Sequence, residues 1–307
     1  MYYYVRNHQF KGRPYHLALY AAGHRPKADK AEIALVDRDR YIQAPNTTLA
    51  YVQDFIKQGA TIMIYPHSAL PPWWYDGLIK AQPYIRCVCV IGEGHKDAMR
   101  VIAPEVHVEA VGWPWCPQKT FAIPHDLQTI LFAPIHPGGG KLRPEGVQAN
   151  KDIFHELKRV QSQTGCKVII RYVGDLDTQG LHPYHRFEWI EARADGKTKE
   201  IDAADVVIAE GTMMYLSVAR GKPTIGINQH LPCRANKSSE KYTPHNWDKY
   251  GPDLAYPINY GDAQLQDLID RAMTEEQTAW RKQHIGETLD RKAFADKVIK
   301  IHRGNRK

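Results

Sequence analysis

The turn Glu210-Gly211-Thr212 has residue types that suit anion binding. It follows the apolar run Val206–Ala209 and opens a helix that we predict over residues 213–220. Unpaired backbone N–H groups and the positive end of the dipole attract anions at a helix start. Gly211 lets a phosphate or ribose approach the backbone, and Thr212 can cap the helix or bond a phosphate oxygen. An ordinary capped turn is the alternative.

A glycine-rich segment and an arginine follow two further predicted strands. The backbone amides of Gly139 and Gly140, with the charge of Lys141, can cradle a diphosphate. The segment lacks P-loop spacing, and a flexible loop is the alternative. Arg171 closes the run KVIIR, and a buried strand rarely ends in arginine without an anionic partner. That partner is a phosphate or a carboxylate in a structural ion pair.

Two turns in the first half of the chain carry candidate general bases. His8 lies between the first predicted strand and helix, and Glu93 and His95 follow a later strand. Histidine titrates near neutral pH and suits a general base. We therefore expect His8 to act as the base, with His95 and Glu93 as rivals. The chain has 15 histidines, so an ordinary loop histidine is the alternative.

Metal binding is not expected from the sequence. The Asp-x-Asp pairs at residues 37–39 and 175–177 are common in surface turns. Cys87 and Cys89 alternate on one predicted strand without further ligands, so we expect them in the core. Tryptophans Trp73, Trp74 and Trp113 flank proline-rich loops, where they can stack on sugars or bases or pack beneath the loop.

Short apolar runs alternate with helical segments, and this predicts parallel βαβ units with strands buried on both faces. We expect an α/β fold with two Rossmann-like domains facing each other across a cleft, and ligands beyond the carboxyl ends of the strands. Strands are predicted at residues 2–5, 33–36, 61–65, 85–91, 106–111, 129–133, 167–173, 187–191, 206–209 and 224–228, and helices at 14–22, 49–58, 74–81, 150–164, 213–220, 263–273 and 275–301.

Composition narrows the class of protein. With 43% hydrophobic and 24% charged residues, the chain is typical of a soluble globular protein. It has no apolar window of about 18 residues and no signal-peptide pattern. Five cysteines without paired spacing indicate a reducing, cytoplasmic setting. The net charge of +7 favours a polyanionic partner, and a basic protein without such a partner is the alternative.

The segment IDAADVVIAEGTMMYLSVARGKPTIGIN, residues 201–228, resembles the nucleotide-sugar segment of GT-B glycosyltransferases. Residues 7–24 resemble the first loop and helix of that fold, and VEAVGWP, residues 108–114, resembles the close of its amino-terminal domain. Residues 129–134 and 203–223 also resemble the CDP-glycerol glycerophosphotransferases. The resemblance implies domains at residues 1–118 and 126–274, with residues 275–307 forming a helix that returns to the first domain and a basic tail.

This resemblance implies a glycosyltransferase with a nucleotide sugar, most simply a UDP-sugar, as donor and no obligatory metal or cofactor. The donor diphosphate would meet Arg171, Thr212 and Met213 together with the glycine-rich segment, and Glu210 would bind the ribose. Backbone amides and cations would stabilise the departing diphosphate while the base removes the acceptor proton.

The acceptor side would include Arg13 and the three tryptophans. The favoured acceptor is a hydroxymethylated pyrimidine in double-stranded DNA. Such an enzyme would be encoded by a bacteriophage and would act in the cytoplasm of the host cell. A cell-surface polymer is the alternative acceptor, without an integral membrane contact. A sugar-nucleotide epimerase and a non-catalytic nucleotide-binding protein are alternatives of another class. The oligomeric state stays open.

Overall fold

The computed structural model describes residues 1–6, 13–37, 52–65, 84–102, 104–112, 119–135, 144–172, 188–191, 198–227, 258, 260–261, 263–286 and 291–304. The chain divides into two compact units. Unit 1 comprises residues 1–117 and 282–307, and unit 2 comprises residues 118–281.

The described strands form two sheets, and every strand pair in them is parallel. The strands are β1 (Tyr2–Val5), β2 (Arg25–Pro26), β3 (Ile33–Asp37), β4 (Thr61–Tyr65), β5 (Cys87–Val90), β6 (Val108–Ala110), β7 (Thr129–Ala133), β8 (Lys167–Tyr172), β9 (Glu188–Glu191), β10 (Val206–Ala209) and β11 (Thr224–Gly226). Unit 1 has the order β2-β1-β3-β4-β5-β6, and unit 2 has the order β11-β10-β7-β8-β9.

Helices connect and cover these strands. They are α1 (Arg13–Ala21), α2 (Glu93–Ile102), α3 (Pro144–Thr164), α4 (Lys199–Ala203), α5 (Gly211–Ala219), α6 (Leu265–Ala272), α7 (Thr278–His284) and α8 (Arg291–Arg303). Residues 52–57 are also helical, and Ala28–Lys30 form a 3₁₀ turn. No helix in these described stretches is long and apolar enough to cross a membrane.

The sheet of unit 1 is covered on both faces. On one face, Tyr15 of α1 and Phe294 of α8 pack with Tyr3 of β1 in one core cluster. On the other face, Phe55 and Met99 pack with alternate residues of the same strands. Successive side chains of a strand point to opposite faces, so each strand contributes to both clusters. The predicted return of the C-terminal helix to the first half of the chain is confirmed.

The sheet of unit 2 has a core cluster built by α3 and α6 on one face. Phe154 of α3 and Leu268 of α6 pack there with Phe132 and Ile208. Helix α5 contacts β10 and β11, and its residues from Met214 to Ala219 are buried outside this cluster. The predicted α/β class with two parallel sheets is confirmed.

Several predicted boundaries were wrong. Helix α3 begins at Pro144 rather than at residue 150, because proline suits the first helical position. The long helix predicted over residues 275–301 is two helices, and Gly286 between them has a φ of 86°. Helices α2 and α4 and the two-residue strand β2 were not predicted. The helix predicted at 74–81 lies outside the described residues.

Two glycines of unit 2 offer a matched test of backbone packing. Gly221 and Gly165 both have a φ of 72°. A Cβ at Gly221 would overlap the backbone carbonyl of Thr120, whereas a Cβ at Gly165 would meet no atom within 4 Å. We expect Gly165→Ala to lower the free energy of unfolding by about 1–2 kcal/mol through backbone strain alone. We expect Gly221→Ala to lower it by about 4 kcal/mol or more.

The measurement is urea unfolding of the wild type and both variants. Equal losses in the two variants would contradict the packing seen at Gly221.

Candidate functional site

The topological switch point of the unit 2 sheet lies between β7 and β10. The chain moves from β7 through α3 to β8 on one side, and from β10 through α5 to β11 on the other. Because such crossovers are right-handed, helices that follow strands in opposite directions lie on opposite faces. Their separation opens a crevice beyond the carboxyl ends of β7 and β10, where ligands of open α/β sheets bind.

The turn predicted as a binding site lies at this switch point. Glu210 directly follows β10 and is the N-cap of α5, with extended backbone angles and no side-chain capping bond. Gly211 has a φ of 51°, and no heavy atom lies within 4 Å of the place where a Cβ would sit. The backbone N–H of Met213 donates to the carbonyl of Glu210 at 3.2 Å. Thr212 is the second helical residue, so the predicted alternative in which Thr212 caps the helix was wrong.

The exit of β7, on the other side of the crevice, is held by a buried amide. The side chain of Asn150, in α3, accepts from the N–H of Ile135 at 2.8 Å and donates to the carbonyl of Ile135 at 3.3 Å. Asn150 is completely buried. Two such bonds fix the chain where the segment leading to the predicted glycine loop leaves the sheet. The role of Asn150 was not predicted, although an asparagine on the apolar face of a helix was a usable signal.

Arg171 lies on β8 and has a carboxylate partner. Its Nη1 is 3.6 Å from Oε2 of Glu200, which belongs to α4. Only 3% of Arg171 is exposed, and burial lowers the pKa of its guanidinium while Glu200 acts in the opposite direction. The ion-pair alternative for Arg171 is therefore present in the structure. Its contact with a donor phosphate stays a prediction.

Removing the carboxylate of this buried pair should destabilise unit 2. We expect Glu200→Ala to lower the free energy of unfolding by about 3 kcal/mol, because the Arg171 charge loses its counter-charge. The double variant Arg171→Leu, Glu200→Leu should lose less, since neither charge is then buried. Urea unfolding of the three proteins measures both losses. A double variant that is less stable than Glu200→Ala would contradict a mainly structural role for this ion pair.

In unit 1, the switch point lies between β1 and β3. Helix α1 follows β1 on one face, and the helical residues 52–57 follow β3 on the other. Arg6 directly follows β1 here. Its backbone N–H donates to the carbonyl of Leu35, and its carbonyl accepts from the hydroxyl of Tyr65 at 2.9 Å. Arg13, a predicted acceptor contact, begins α1 and is exposed. This edge is where the sequence predicts His8.

The turn between β5 and α2 carries the other two predicted bases in different environments. Glu93 begins α2 with 63% of its side chain exposed, 4.0 Å from Nζ of Lys96. His95 is only 4% exposed and packs edge-on against His284, with ring centroids 6.2 Å apart. The burial of His95 favours a packing role, and its assignment as a base stays a prediction.

His284 fits against this turn because two residues of the turn lack side chains. A Cβ at Gly92 would overlap the backbone carbonyl of His284, and a Cβ at Gly94 would lie 2.6 Å from its Nδ1. His284 is 1% exposed. Burial lowers the pKa of His95 to about 4, opposed by a hydrogen bond to the His284 backbone. Burial and the neighbouring His95 lower the pKa of His284 to about 3. Both rings are therefore neutral at pH 7.

This histidine pair should make the stability of unit 1 depend on pH. Both folded-state pKa values lie below the unfolded value of about 6.5, so the unfolded chain binds more protons between about pH 6.5 and pH 4. Stability is complete above about pH 6.5 and is lost as the pH falls. We expect a slope of up to about 1 kcal/mol per pH unit for each ring.

Urea unfolding at pH 7, 6, 5 and 4.5 measures this slope. His284→Gln should reduce the slope, whereas His125→Gln should leave it unchanged because 97% of the His125 side chain is exposed. An unchanged slope in His284→Gln would show that other groups cause the acid sensitivity.

The remaining predicted site residues lie outside the described residues. They are His8, Trp73, Trp74, Trp113, Gly139, Gly140 and Lys141. The structure brings together Glu210, Gly211, Thr212 and Met213 at one turn, and Glu93 and His95 at another.

Within the described part of the chain, no group of three or more His, Cys, Asp or Glu side chains could hold a metal ion. Of each predicted Asp-x-Asp pair, the structure describes at most one residue, Asp37 of the first pair. Cys87 and Cys89 are buried in the same cluster as α1 and α8, so their core position was predicted correctly.

Comparisons with known proteins give structural neighbours. No family profile matches the sequence, and no curated protein matches it. The wall teichoic acid polymerase TagF superposes with a TM-score of 0.50 at 11% identity, over 100% of this chain and 89% of that chain. Because this match covers the whole chain, it shows the fold. The fold is that of the GT-B glycosyltransferases.

Two further structural neighbours have lower TM-scores. A TarM mutant from S. aureus, in complex with Fondaparinux, alpha-GlcNAc-glycerol and UDP, gives a TM-score of 0.49 at 10% identity over 95% of this chain. The chain described here spans 58% of the length of that TarM chain. A glycosyltransferase from Rickettsia africae ESF-5 gives 0.46 at 10% identity, over 99% of this chain and 97% of that chain.

Proposed function

We propose that the protein is a glycosyltransferase that binds a nucleotide-activated donor at the switch point of unit 2. One observation carries this proposal. The open turn Glu210-Gly211-Thr212 lies at the start of a nine-residue helix, beside the carboxyl end of β7. Helix N–H groups, a positive dipole end and space beside Gly211 together suit a diphosphate. TagF, which has the same fold, has been solved with CDPG, and this supports a nucleotide-activated donor.

Each residue of the turn has a distinct part in donor binding. The backbone amides of Gly211 and Thr212 face the diphosphate and stabilise the charge that grows as it leaves. The hydroxyl of Thr212 donates to a phosphate oxygen, and the carboxylate of Glu210 accepts from the ribose hydroxyls. Gly139, Gly140 and Lys141 follow β7 in the sequence, and we propose that they also bind the diphosphate. A UDP-sugar is the simplest donor for this set.

We propose His8, which follows β1 in the sequence, as the base that takes the proton of the acceptor hydroxyl. The acceptor oxygen then forms a bond to the sugar C1 as the bond from C1 to the diphosphate breaks. Glu93 is the second candidate for the base, because its carboxylate is exposed at the start of α2. No step of this mechanism requires a metal ion.

A hydroxyl-rich surface polymer is the acceptor class that we favour. TagF, which has the same fold, is a wall teichoic acid polymerase. A hydroxymethylated pyrimidine in double-stranded DNA is the second candidate, favoured by the chain's net charge of +7. An epimerase or a nucleotide-binding protein would use the same donor turn without any acceptor.

A thermal-shift panel of nucleoside diphosphates and nucleotide sugars tests the donor site. A ligand that binds only the folded state stabilises it and so raises Tm. At a ligand concentration of 100 times Kd, the free energy of unfolding increases by about 2.7 kcal/mol. We expect one nucleotide to raise Tm, with or without EDTA. Gly211→Ala should need about ten times more nucleotide for the same rise in Tm, because the new methyl group occupies the space beside the phosphate.

Gly165→Ala is the matched control, because Gly165 also has a positive φ and open space around the Cβ position. It should keep the full nucleotide shift. A wild-type protein that no nucleotide stabilises would exclude the proposed function.

The salt dependence of DNA binding and the incorporation of labelled sugar distinguish the acceptor classes. A DNA-modifying enzyme should bind duplex DNA with an affinity that falls about 10³-fold or more between 50 and 200 mM salt if it contacts six or more phosphates. With a surface polymer as acceptor, DNA binding should be absent or weak, and labelled sugar should enter the polymer. Consumption of donor without any acceptor would instead indicate an epimerase.

A further inference from the structure

A cavity lies at the opposite edge of the unit 1 sheet from the turns discussed above. It has a volume of about 1050 Å³ and is lined by the residues that immediately precede β3, β4, β5 and β6. Neighbouring strands are about 4.8 Å apart, so the cavity runs across about 14 Å of sheet edge. We call it the amino-edge groove. The groove is long enough for an extended ligand, and its volume is at the upper end of ordinary ligand sites.

The floor of the groove is ordered by buried polar contacts. Oγ1 of Thr61 and Nδ1 of His302 are 2.8 Å apart, and His302 is only 7% exposed. Backbone bonds continue the sheet into the lining residues: the N–H of Thr61 donates to Glu32, and the N–H of Arg86 donates to Ile62, both at 2.8 Å. The lining is therefore fixed by the sheet itself, so the groove is formed before any ligand binds.

The charge of the groove argues against a polyanionic ligand. Two cationic side chains, Lys30 and Arg86, stand against three carboxylates, Asp29, Glu32 and Glu105. Its formal charge is therefore negative, although the chain as a whole carries +7. DNA or a polyphosphate would meet net repulsion here.

The groove does not favour a cationic ligand either, because its carboxylates have local partners. Oε1 of Glu32 accepts from the N–H of Tyr2 at 3.1 Å, and Asp29 lies 3.9 Å from Nζ of Lys27. What the groove offers is a mixture of hydrogen-bond acceptors and donors. Carboxylates accept from hydroxyl groups, whereas guanidinium and amide groups such as those of Arg86 and Gln58 donate to them.

An exposed aromatic ring completes this set. Tyr84 lines the groove and is 44% exposed, although large apolar side chains are usually more deeply buried. An exposed tyrosine ring can pack against the C–H face of a sugar, because the ring has an apolar body and a polar tip. Planar polar groups together with one aromatic platform suit a neutral, hydroxyl-rich ligand.

We infer that the amino-edge groove binds an uncharged oligosaccharide or polyol chain, at a site separate from the transfer site. The inference goes beyond the proposed function, since binding here needs neither donor nor transfer. In a transferase that acts on a polymer, such a groove holds part of the chain away from the reacting end and so raises its effective concentration.

Titration with neutral hexasaccharides, in the absence of nucleotide, tests this inference. The probes are maltohexaose, cellohexaose and chitohexaose, with a heparin hexasaccharide as the anionic comparison, and the readout is isothermal calorimetry on the full chain. We expect at least one neutral probe to bind and the anionic probe to bind more weakly. Tyr84→Ala should weaken binding about tenfold, and Gln58→Ala should weaken it about threefold.

Tyr20→Ala is the matched control, because Tyr20 is similarly exposed, at 50%, and does not line the groove. It should leave the affinity unchanged. The inference is overturned if no neutral probe binds at millimolar concentration, if Tyr84→Ala binds as well as wild type, or if the anionic probe binds best. Gly211→Ala distinguishes a failure of this inference from a failure of the proposed function, since the variant should bind the nucleotide about tenfold more weakly and bind the hexasaccharide as well as wild type.

Discussion

Burial of both faces of a parallel sheet is the constraint on which this molecule depends. The strands of both units carry apolar side chains alternately on each face, so each sheet must be covered twice. Unit 1 meets this requirement with α1 and α8 on one face and with α2 and residues 52–57 on the other. A sheet covered on one face alone would expose a continuous apolar surface.

The same constraint creates the candidate sites. Covering both faces requires crossovers in two directions, and a change of direction opens a crevice at the carboxyl ends of two neighbouring strands. In unit 2 the crevice lies between β7 and β10, beside Gly211, and in unit 1 it lies between β1 and β3. Both crevices therefore follow from the strand order. The residues at the strand ends determine which ligand each crevice can bind.

The sequence predicted what local patterns encode. Continuous apolar runs identified the strands, and the Glu210 turn was found because a glycine separates such a run from a helix. The predicted start of α3 at residue 150 was too late, because the helix begins at Pro144, whose fixed φ suits the first helical position. Boundary errors of this kind follow from weak local signals.

Contacts between distant residues could not be predicted. Nothing near Gly94 in the sequence indicates that His284 will lie against it, and nothing near Arg171 identifies Glu200 as its partner. Such pairs form only when the sheet brings separate crossovers together. The predicted roles of His8 and of Lys141 stay predictions, because their placement is not described.

Helix α8 has a consequence for the order in which the chain folds during synthesis. Its Phe294 and Val298 complete the core formed by α1 and β1. The ribosome releases the first 117 residues of unit 1 about 170 residues before α8 is made. At about 5–20 residues per second, that delay is about 10–35 s. During this interval unit 2 can fold as a continuous segment, while the nascent unit 1 carries an uncovered apolar face that chaperones can bind.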